Sequence, residues 1–203
     1  MKHIIKILIA SSIAIFITVA CGGGSMVDYG DVSQDDISTE PINAPKLSIT
    51  EKNEYLSAIN NARATARDCG EYGHMDAVAP LKWNDALYKA AYEHTRDMVE
   101  NNIFSHEGSG TATDKTGADL NKESEFYERV THNGYLYKLT GENITAGTVT
   151  DTAEEAVQNW IDSPPHCKNL MSPDYKDVGM AYIRKSGTKY YNYWTQDFGT
   201  PRP

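Results

Sequence analysis

The spacing of apolar residues in this chain changes near residue 177, from the repeat of helices to that of strands. Before that point, apolar side chains recur every three or four residues in several separate segments. After it come "DVGMAYIRK" and "KYYNYWTQDFG", which are rich in β-branched and aromatic residues and are separated by "SGT". This pattern predicts an antiparallel hairpin. Helices followed by a terminal hairpin indicate an α+β fold, in which helices pack on a small sheet.

Four helices are predicted ahead of the hairpin. Ser48 and Glu51 form a capping-box pattern at the start of the first, and Thr152 and Glu155 form another at the start of the fourth. Asn84 is a suitable N-cap for the second helix, within "WNDALYKAAYEHTRDMVENN". The segment "ESEFYERVTHNGY" predicts the short third helix, and the polar stretch before it, "EGSGTATDKTGADLN", is expected to be a loop.

The beginning of the chain has the features of an export signal. Residues 1–20 combine a basic start, a short apolar run and small residues before Cys21. The apolar run is shorter than the roughly 20 residues that a membrane span needs. The sequence "TVAC" resembles the lipobox of bacterial lipoproteins, although Thr18 stands where that motif usually has leucine. We therefore expect Cys21 to become the lipidated N-terminus of an exported protein anchored to the bacterial envelope or surface; a plain signal peptide is the alternative.

The remaining sequence divides into a tether and one domain. Residues 21–46 are rich in glycine, aspartate, serine and proline, which predicts a flexible tether, and residues 47–203 have the length of a single domain. The formal net charge of the whole chain is −9, and removal of residues 1–20 takes away two lysines. Such an acidic chain cannot neutralise a phosphate backbone, so nucleic acid is not an expected partner, while a membrane is expected through the lipid anchor.

Cys69 and Cys167 remain if Cys21 is lipidated. A pair of cysteines in an exported chain favours a disulfide, which here closes a loop of roughly 98 residues. In the stretch "NWIDSPPHCKNLMSP", Pro164 and Pro165 are expected to end the fourth helix beside this disulfide; a Cys167 nucleophile and half of a metal site are the alternatives. The disulfide is the favoured interpretation, because a nucleophile needs a free thiolate.

Several motifs occur in a recognisable order: "LKWNDAL", "FSHEG", "GENITAG", "NWIDSPPHCKNLMSPDYKDVGMAY" and "YWTQDFG". Together they resemble the CAP domain, also called the SCP domain, over roughly residues 50–199. The superfamily includes the cysteine-rich secretory proteins, insect antigen 5 and the plant pathogenesis-related class-one proteins. The resemblance implies an α-β-α sandwich around a three-stranded antiparallel sheet, with its third strand near "ENITAG".

The resemblance also implies candidate site residues. Members of the family often carry two histidines and two glutamates in a cleft, and this chain has His106 and Glu142 at two of those positions. It departs at the other two, where it has Ser163 and Tyr193. It has His166 instead, in "SPPHCKN", which is similar to the bacterial branch of the family.

His106, Glu142 and His166 allow several roles. Two histidines and a carboxylate are the ligands of many zinc sites, and Glu142 can also orient a histidine. The competing interpretation is structural, with the histidines capping turns. The remaining polar and aromatic motif residues are interpreted as scaffold, with their amide and hydroxyl groups satisfied nearby: Asn143, Trp160, Tyr193, Trp194 and Gln196.

Three functions remain open at this stage. The leading one is non-catalytic binding of a ligand or partner, for example a lipid, sterol or protein, at the envelope or surface. The alternative is a peptidase-like hydrolase that uses His106, Glu142 and His166 with or without zinc. The third is a structural envelope protein with an inert cleft. Neither HExxH nor G-x-S-x-G occurs, so no catalytic residue is identified.

Overall fold

The computed structural model describes residues 42–203. The predicted export signal, the lipidated Cys21 and most of the predicted tether lie outside the described residues. Within residues 42–203, no helix is both long enough and apolar enough to cross a membrane.

The main sheet has four strands, in the order β3–β5–β6–β4. Their bounds are Lys82–Trp83 for β3, Tyr137–Gly147 for β4, Asp177–Arg184 for β5 and Asn192–Pro201 for β6. The predicted hairpin is β5–β6, and β4 pairs antiparallel with β6, as the third strand near "ENITAG" was expected to do. The short β3 runs parallel to β5 and is an addition to the expected three strands. A second sheet pairs β1 and β2, which span Arg67–Asp68 and His74–Met75.

The α-helices precede the strands of the main sheet or lie between them. They are α1 Ile49–Arg63, α2 Asp85–Asn101, α3 Lys115–Leu120, α4 Phe126–His132, α5 Ala153–Ile161 and α6 Pro164–Leu170. The capping boxes predicted at Ser48 and Thr152 are both formed, and Asn84 caps α2. The segment expected to be a loop contains α3, because the Asp114 side chain accepts a hydrogen bond from Gly117 N and so caps a helix start.

The helices form a layer on each face of the main sheet. Side chains alternate along β6, so Trp194 and Phe198 pack under α1 and α5, whereas Tyr193 packs under α2. Trp160 of α5 is completely buried, as expected. On the opposite face, α2 lies so close to β5 that a Cβ atom at Gly179 would be 2.0 Å from Tyr88 N. The α-β-α sandwich predicted from the motifs is therefore confirmed.

Residues 42–47, which we call the N-terminal strap, lie against the α2 layer. Ile42 is buried, and its N–H donates to Asn133 Oδ1 at 3.2 Å. Ala44 and Leu47 pack beside Tyr88, whose hydroxyl donates to Pro45 O at 2.8 Å. The folded domain therefore includes Ile42 to Lys46, which the sequence analysis assigns to the tether.

Candidate functional site

The three residues selected from the sequence come from different elements and meet at the outer edge of β4. His106 follows α2, Glu142 lies on β4, and His166 lies in the first turn of α6. The Nδ1 atom of His106 is 2.7 Å from Oε1 of Glu142, and the ring centres of His106 and His166 are 6.3 Å apart. Because β4 is an edge strand, one ring from each helical layer can approach the same carboxylate.

Glu142 is the centre of this arrangement. Its side chain is 1% exposed, and its two oxygens bind different partners, His106 Nδ1 at 2.7 Å and Arg129 Nη2 at 2.9 Å. Burial alone would raise the pKa of Glu142. His94, whose Nε2 atom lies 3.9 Å from Oε1, the guanidinium of Arg129 and the hydrogen bond from His106 together outweigh burial and lower that pKa well below its usual value. Since a carboxylate only accepts hydrogen bonds, His106 must carry a proton on Nδ1.

Arg129 of α4 is a site residue that the sequence analysis missed. Its Nη2 atom donates to both His106 O, at 2.8 Å, and Glu142 Oε2. Its Nη1 atom donates to Ser124 O and to Ser124 Oγ, each at 2.9 Å. An arginine on a short helix is ordinarily exposed, so a single sequence carries no signal for this buried position.

His166 is placed by the start of α6. Pro164 and Pro165 were expected to end α5, but α5 already ends at Ile161, and the two prolines occupy the first turn of α6. Proline is favoured there because the first amides of a helix have no partner within it. Burial is the main cause that lowers the pKa of His166 to about 4, and repulsion from His106 acts in the same direction whenever that ring is protonated. The ring of His166 is therefore neutral at pH 7. The Nε2 atom of His166 has no hydrogen-bond partner within residues 42–203.

Cys167 follows His166 and forms the predicted disulfide with Cys69. Both cysteines are almost completely buried, and their Cα atoms are 5.5 Å apart. This bond confirms the disulfide prediction, and it leaves no free thiolate at Cys167 to act as a nucleophile.

A network of amides lies behind the site. Asn143 Nδ2 donates to His166 O and to Gln196 Oε1, each at 3.2 Å. Asn169 Nδ2 donates to Glu142 O and to Asn143 Oδ1, also at 3.2 Å. These contacts tie α6 to β4, which supports the scaffold interpretation of Asn143.

Two scaffold residues differ from the expectation that their polar groups are satisfied. Trp160 Nε1 and Gln196 Nε2 are buried and have no acceptor within the described part of the chain. Trp194 and Tyr193 follow the expectation, since Trp194 Nε1 donates to Thr150 O at 2.8 Å and the Tyr193 hydroxyl lies 3.4 Å from Asn102 Oδ1.

Asp197 is a second carboxyl group beside Glu142, and the sequence analysis did not select it. The two residues face each other across β4 and β6, so their side chains lie on the same face of the sheet. Asp197 is completely buried, and neither of its oxygens has a hydrogen-bond partner within residues 42–203. Burial and the negative charge of Glu142 raise the pKa of Asp197 well above its usual value, so the folded protein favours the protonated form of this carboxyl group.

Replacing Asp197 with asparagine is therefore expected to stabilise the protein at pH 8. The unfolded aspartate ionises above about pH 4, whereas the folded one keeps its proton, so wild-type stability falls as the pH rises above that value. Asparagine cannot ionise, so the variant avoids this loss of stability. The loss is about 1.4 kcal/mol for each unit by which folding raises the pKa of Asp197. Chemical unfolding at pH 5 and pH 8 should show a gain that is larger at pH 8.

Asp97→Asn is the matched control for Asp197→Asn. Asp97 is equally buried, but its carboxylate accepts hydrogen bonds from Ser109 N at 2.8 Å and from Thr113 Oγ1 at 2.7 Å. We expect this substitution to destabilise the protein because it exchanges an acceptor for a donor. A loss of stability in Asp197→Asn at both pH values would contradict the assignment of a protonated carboxyl.

The zinc site considered from the sequence does not fit this geometry. No group of three histidine, cysteine, aspartate or glutamate side chains in residues 42–203 is arranged to hold a metal ion. Both oxygens of Glu142 are engaged by His106 and Arg129, and the guanidinium beside the carboxylate would repel a cation. Zinc binding remains a prediction, which calorimetric titration can test with a His106→Ala/His166→Ala double variant as control.

The chain is similar to a known protein family and to two bacterial proteins. Residues 56–198 match CAP, the cysteine-rich secretory protein family. The uncharacterised protein YkwD of Bacillus subtilis (strain 168) is 32% identical over 169 residues, which cover 81% of this chain and 56% of the relative. The uncharacterised membrane protein YlbC of the same strain is 31% identical over 121 residues, which cover 60% of this chain and 29% of the relative. This chain thus spans about half the length of the first relative and less than a third of the second.

A solved structure shows the same fold. It is that of an extracellular protein containing a SCP domain from Bacillus anthracis strain Ames. The similarity has a TM-score of 0.50 at 21% sequence identity, and it covers 77% of this chain and 45% of that chain.

Proposed function

This chain belongs to the cysteine-rich secretory protein family, the CAP family, and on that premise we propose that it is an exported protein that binds a ligand or partner between His106 and His166. The observation that carries the proposal is the His106–Glu142 hydrogen bond, which Arg129 reinforces. This bond fixes the Nδ1 atom of His106 as a donor to Glu142. A ring spacing of 6.3 Å allows one polar group of a ligand to contact both imidazoles.

The charges of the site favour a neutral polar ligand. Glu142 and Arg129 offset each other, His166 is neutral at pH 7, and the raised pKa of Asp197 favours its neutral form. His106 adds no charge when it carries a proton on Nδ1 alone. A phosphate or a metal ion would meet no net charge of opposite sign. Amide, carbonyl and hydroxyl groups therefore match the site best, whether on a peptide or on the head of a lipid or sterol.

His106 also favours a second candidate function, that of a hydrolase. A histidine held by a carboxylate through Nδ1 has the geometry of a general base whose second nitrogen accepts a proton. This arrangement is compatible with activation of a water molecule for peptide hydrolysis. Turnover of a casein substrate that falls at least 100-fold in His106→Ala, with the fold retained, would favour the hydrolase.

Binding can be tested with a neutral peptide probe. We expect a library of N-acetylated, C-amidated tripeptides to contain members that shift the side-chain ¹⁵N signals of both His106 and His166. Replacing His166 with alanine is expected to weaken binding of those members about tenfold, the effect of one lost hydrogen bond. The measurement is an NMR titration of the ¹⁵N-histidine-labelled chain.

His132→Ala is the control for this titration. His132 is also buried, but it pairs with Asp119 at 3.0 Å, away from the site. Its replacement should leave binding unchanged. Signals of His106 and His166 that respond to no tripeptide, and to no vesicle of phosphatidylglycerol and sterol, would leave the structural interpretation in place.

We also propose that Cys21 carries the lipid anchor and that the protein acts at the envelope or surface. Support comes from the "TVAC" sequence and from the similar protein of Bacillus anthracis, which is described as extracellular. When the chain is produced in a bacterium with a palmitate analogue, the wild type is expected to be labelled and Cys21→Ser to lose the label completely. Equal labelling of both proteins would contradict the anchor.

A further inference from the structure

A chain of hydrogen bonds links the N-terminal strap to the candidate site. It begins at the Ile42 N–H, which donates to Asn133 Oδ1 at 3.2 Å. Asn133 Nδ2 donates in turn to Glu93 Oε2 at 2.7 Å and to Arg129 O at 2.9 Å. The side chains of Asn133, Glu93 and Arg129 are all buried, so water competes little for these bonds.

Asn133 fixes the backbone of the last turn of α4. It is the C-cap residue of that helix, and its backbone N–H donates to Arg129 O at 3.0 Å. The same carbonyl also accepts from the Asn133 side chain, so one residue satisfies it twice. Carbonyls at a helix end lack partners within the helix, and a helix end frays when nothing satisfies them.

Arg129 connects the last turn of α4 to the candidate site. Its guanidinium contacts both members of the histidine–glutamate pair, the backbone of His106 and the carboxylate of Glu142. A shift of the α4 end would therefore move the guanidinium that bonds to both residues. Such a shift does not need to unfold the domain, because Val130 and Tyr135 anchor α4 separately in an apolar cluster.

We propose that Asn133 is a positioning residue for the candidate site, through which the N-terminal strap keeps Arg129 against His106 and Glu142. The proposal rests on the proposed function only in treating His106 and Glu142 as the working pair. It implies that the N-terminal strap does more than join the domain to the preceding tether. A disturbance at Ile42 would alter the site although the strap does not touch a ligand.

The test measures the tautomer of His106 in the full chain without any ligand. With ¹⁵N-labelled histidine, wild-type His106 should show a single tautomer with the proton on Nδ1 and slow exchange of that proton with water. Ile42→Pro removes the donor N–H of the strap and keeps the chain length. We expect this variant and Asn133→Ala to show a mixture of tautomers and at least tenfold faster exchange.

Two controls separate positioning from stability. Ile42→Ala loses the apolar side chain but keeps the N–H. Asn60→Ala removes another bridging asparagine, which bonds both Leu81 N at 2.8 Å and Leu81 O at 3.1 Å on the opposite layer. Both controls should lower the melting temperature and leave the His106 tautomer unchanged.

An unchanged tautomer and exchange rate in Ile42→Pro would overturn the proposal, whatever Asn133→Ala does. Because no ligand is present, this outcome is independent of whether tripeptides or vesicles bind. A positive result here with no ligand binding would count against the proposed function and leave the role of Asn133 standing.

Discussion

Replacing Arg129 with methionine is expected to lower the free energy of unfolding by about 3–5 kcal/mol. The substitution leaves Glu142 as a buried carboxylate without its cation, and breaking a buried ion pair from one side typically costs this much. Asp197 and Glu93 are further carboxyl groups near the same guanidinium, so the substitution removes a cation that several buried acidic groups share. Urea unfolding at pH 7 measures the loss.

A double-mutant cycle shows whether the loss comes from the ion pair. Combining Arg129→Met with Glu142→Gln removes both charges, and we expect the double variant to recover at least about 2 kcal/mol of the loss predicted from the two single variants. Arg63 provides the matched comparison. It is equally buried, but within residues 42–203 its guanidinium donates only to backbone carbonyls, those of Ala79, Leu170 and Ser172.

Arg63→Met should also destabilise the protein, because it leaves buried carbonyls without donors. Its effect should simply add to that of Glu142→Gln, since the two residues share no partner. Additivity in the Arg129 cycle as well would show that Glu142 does not depend on Arg129 for its charge, and would contradict the electrostatics described here.

Removing the disulfide is expected to have the second large effect. The bond joins positions that are 98 residues apart in the sequence. In the chain-entropy account, a cross-link over that length stabilises the folded state by about 4–5 kcal/mol. The double variant Cys69→Ser/Cys167→Ser should therefore melt on the order of 10 °C below the oxidised wild type.

Reduction of the wild type supplies an independent check. Thermal melts with and without dithiothreitol should differ by about as much as the double variant differs from the oxidised protein. Cys21→Ser, which keeps both partners of the bond, should melt like the wild type. If dithiothreitol leaves the melting temperature unchanged, the disulfide contributes little to the stability of the fold.

The architecture could be predicted well because it depends on local patterns. The hairpin of β5 and β6 follows from alternating aromatic and β-branched residues, and the starts of α1 and α5 follow from capping boxes that form between residues three apart. The errors lie where local signals are ambiguous. A pair of prolines can end one helix or begin the next, and Pro164 and Pro165 begin α6.

The site could be predicted only in part. His106, Glu142 and His166 were identified through motifs, and the structure places them together, but their chemistry depends on residues without a motif. Arg129 and Asp197 were missed, because nothing in their neighbours along the chain indicates that an arginine or an aspartate there is buried.

The sequence by itself determined the long helices α1, α2 and α5, the terminal hairpin and the pairing of two cysteines, since periodicity, capping and cysteine number are properties of the chain. Only the tertiary structure decided the protonation states at the site. A carboxyl group is charged or neutral according to its burial and its neighbours in space. Glu142 is ionised because Arg129 and His106 face it, and Asp197 is protonated because Glu142 is already charged beside it.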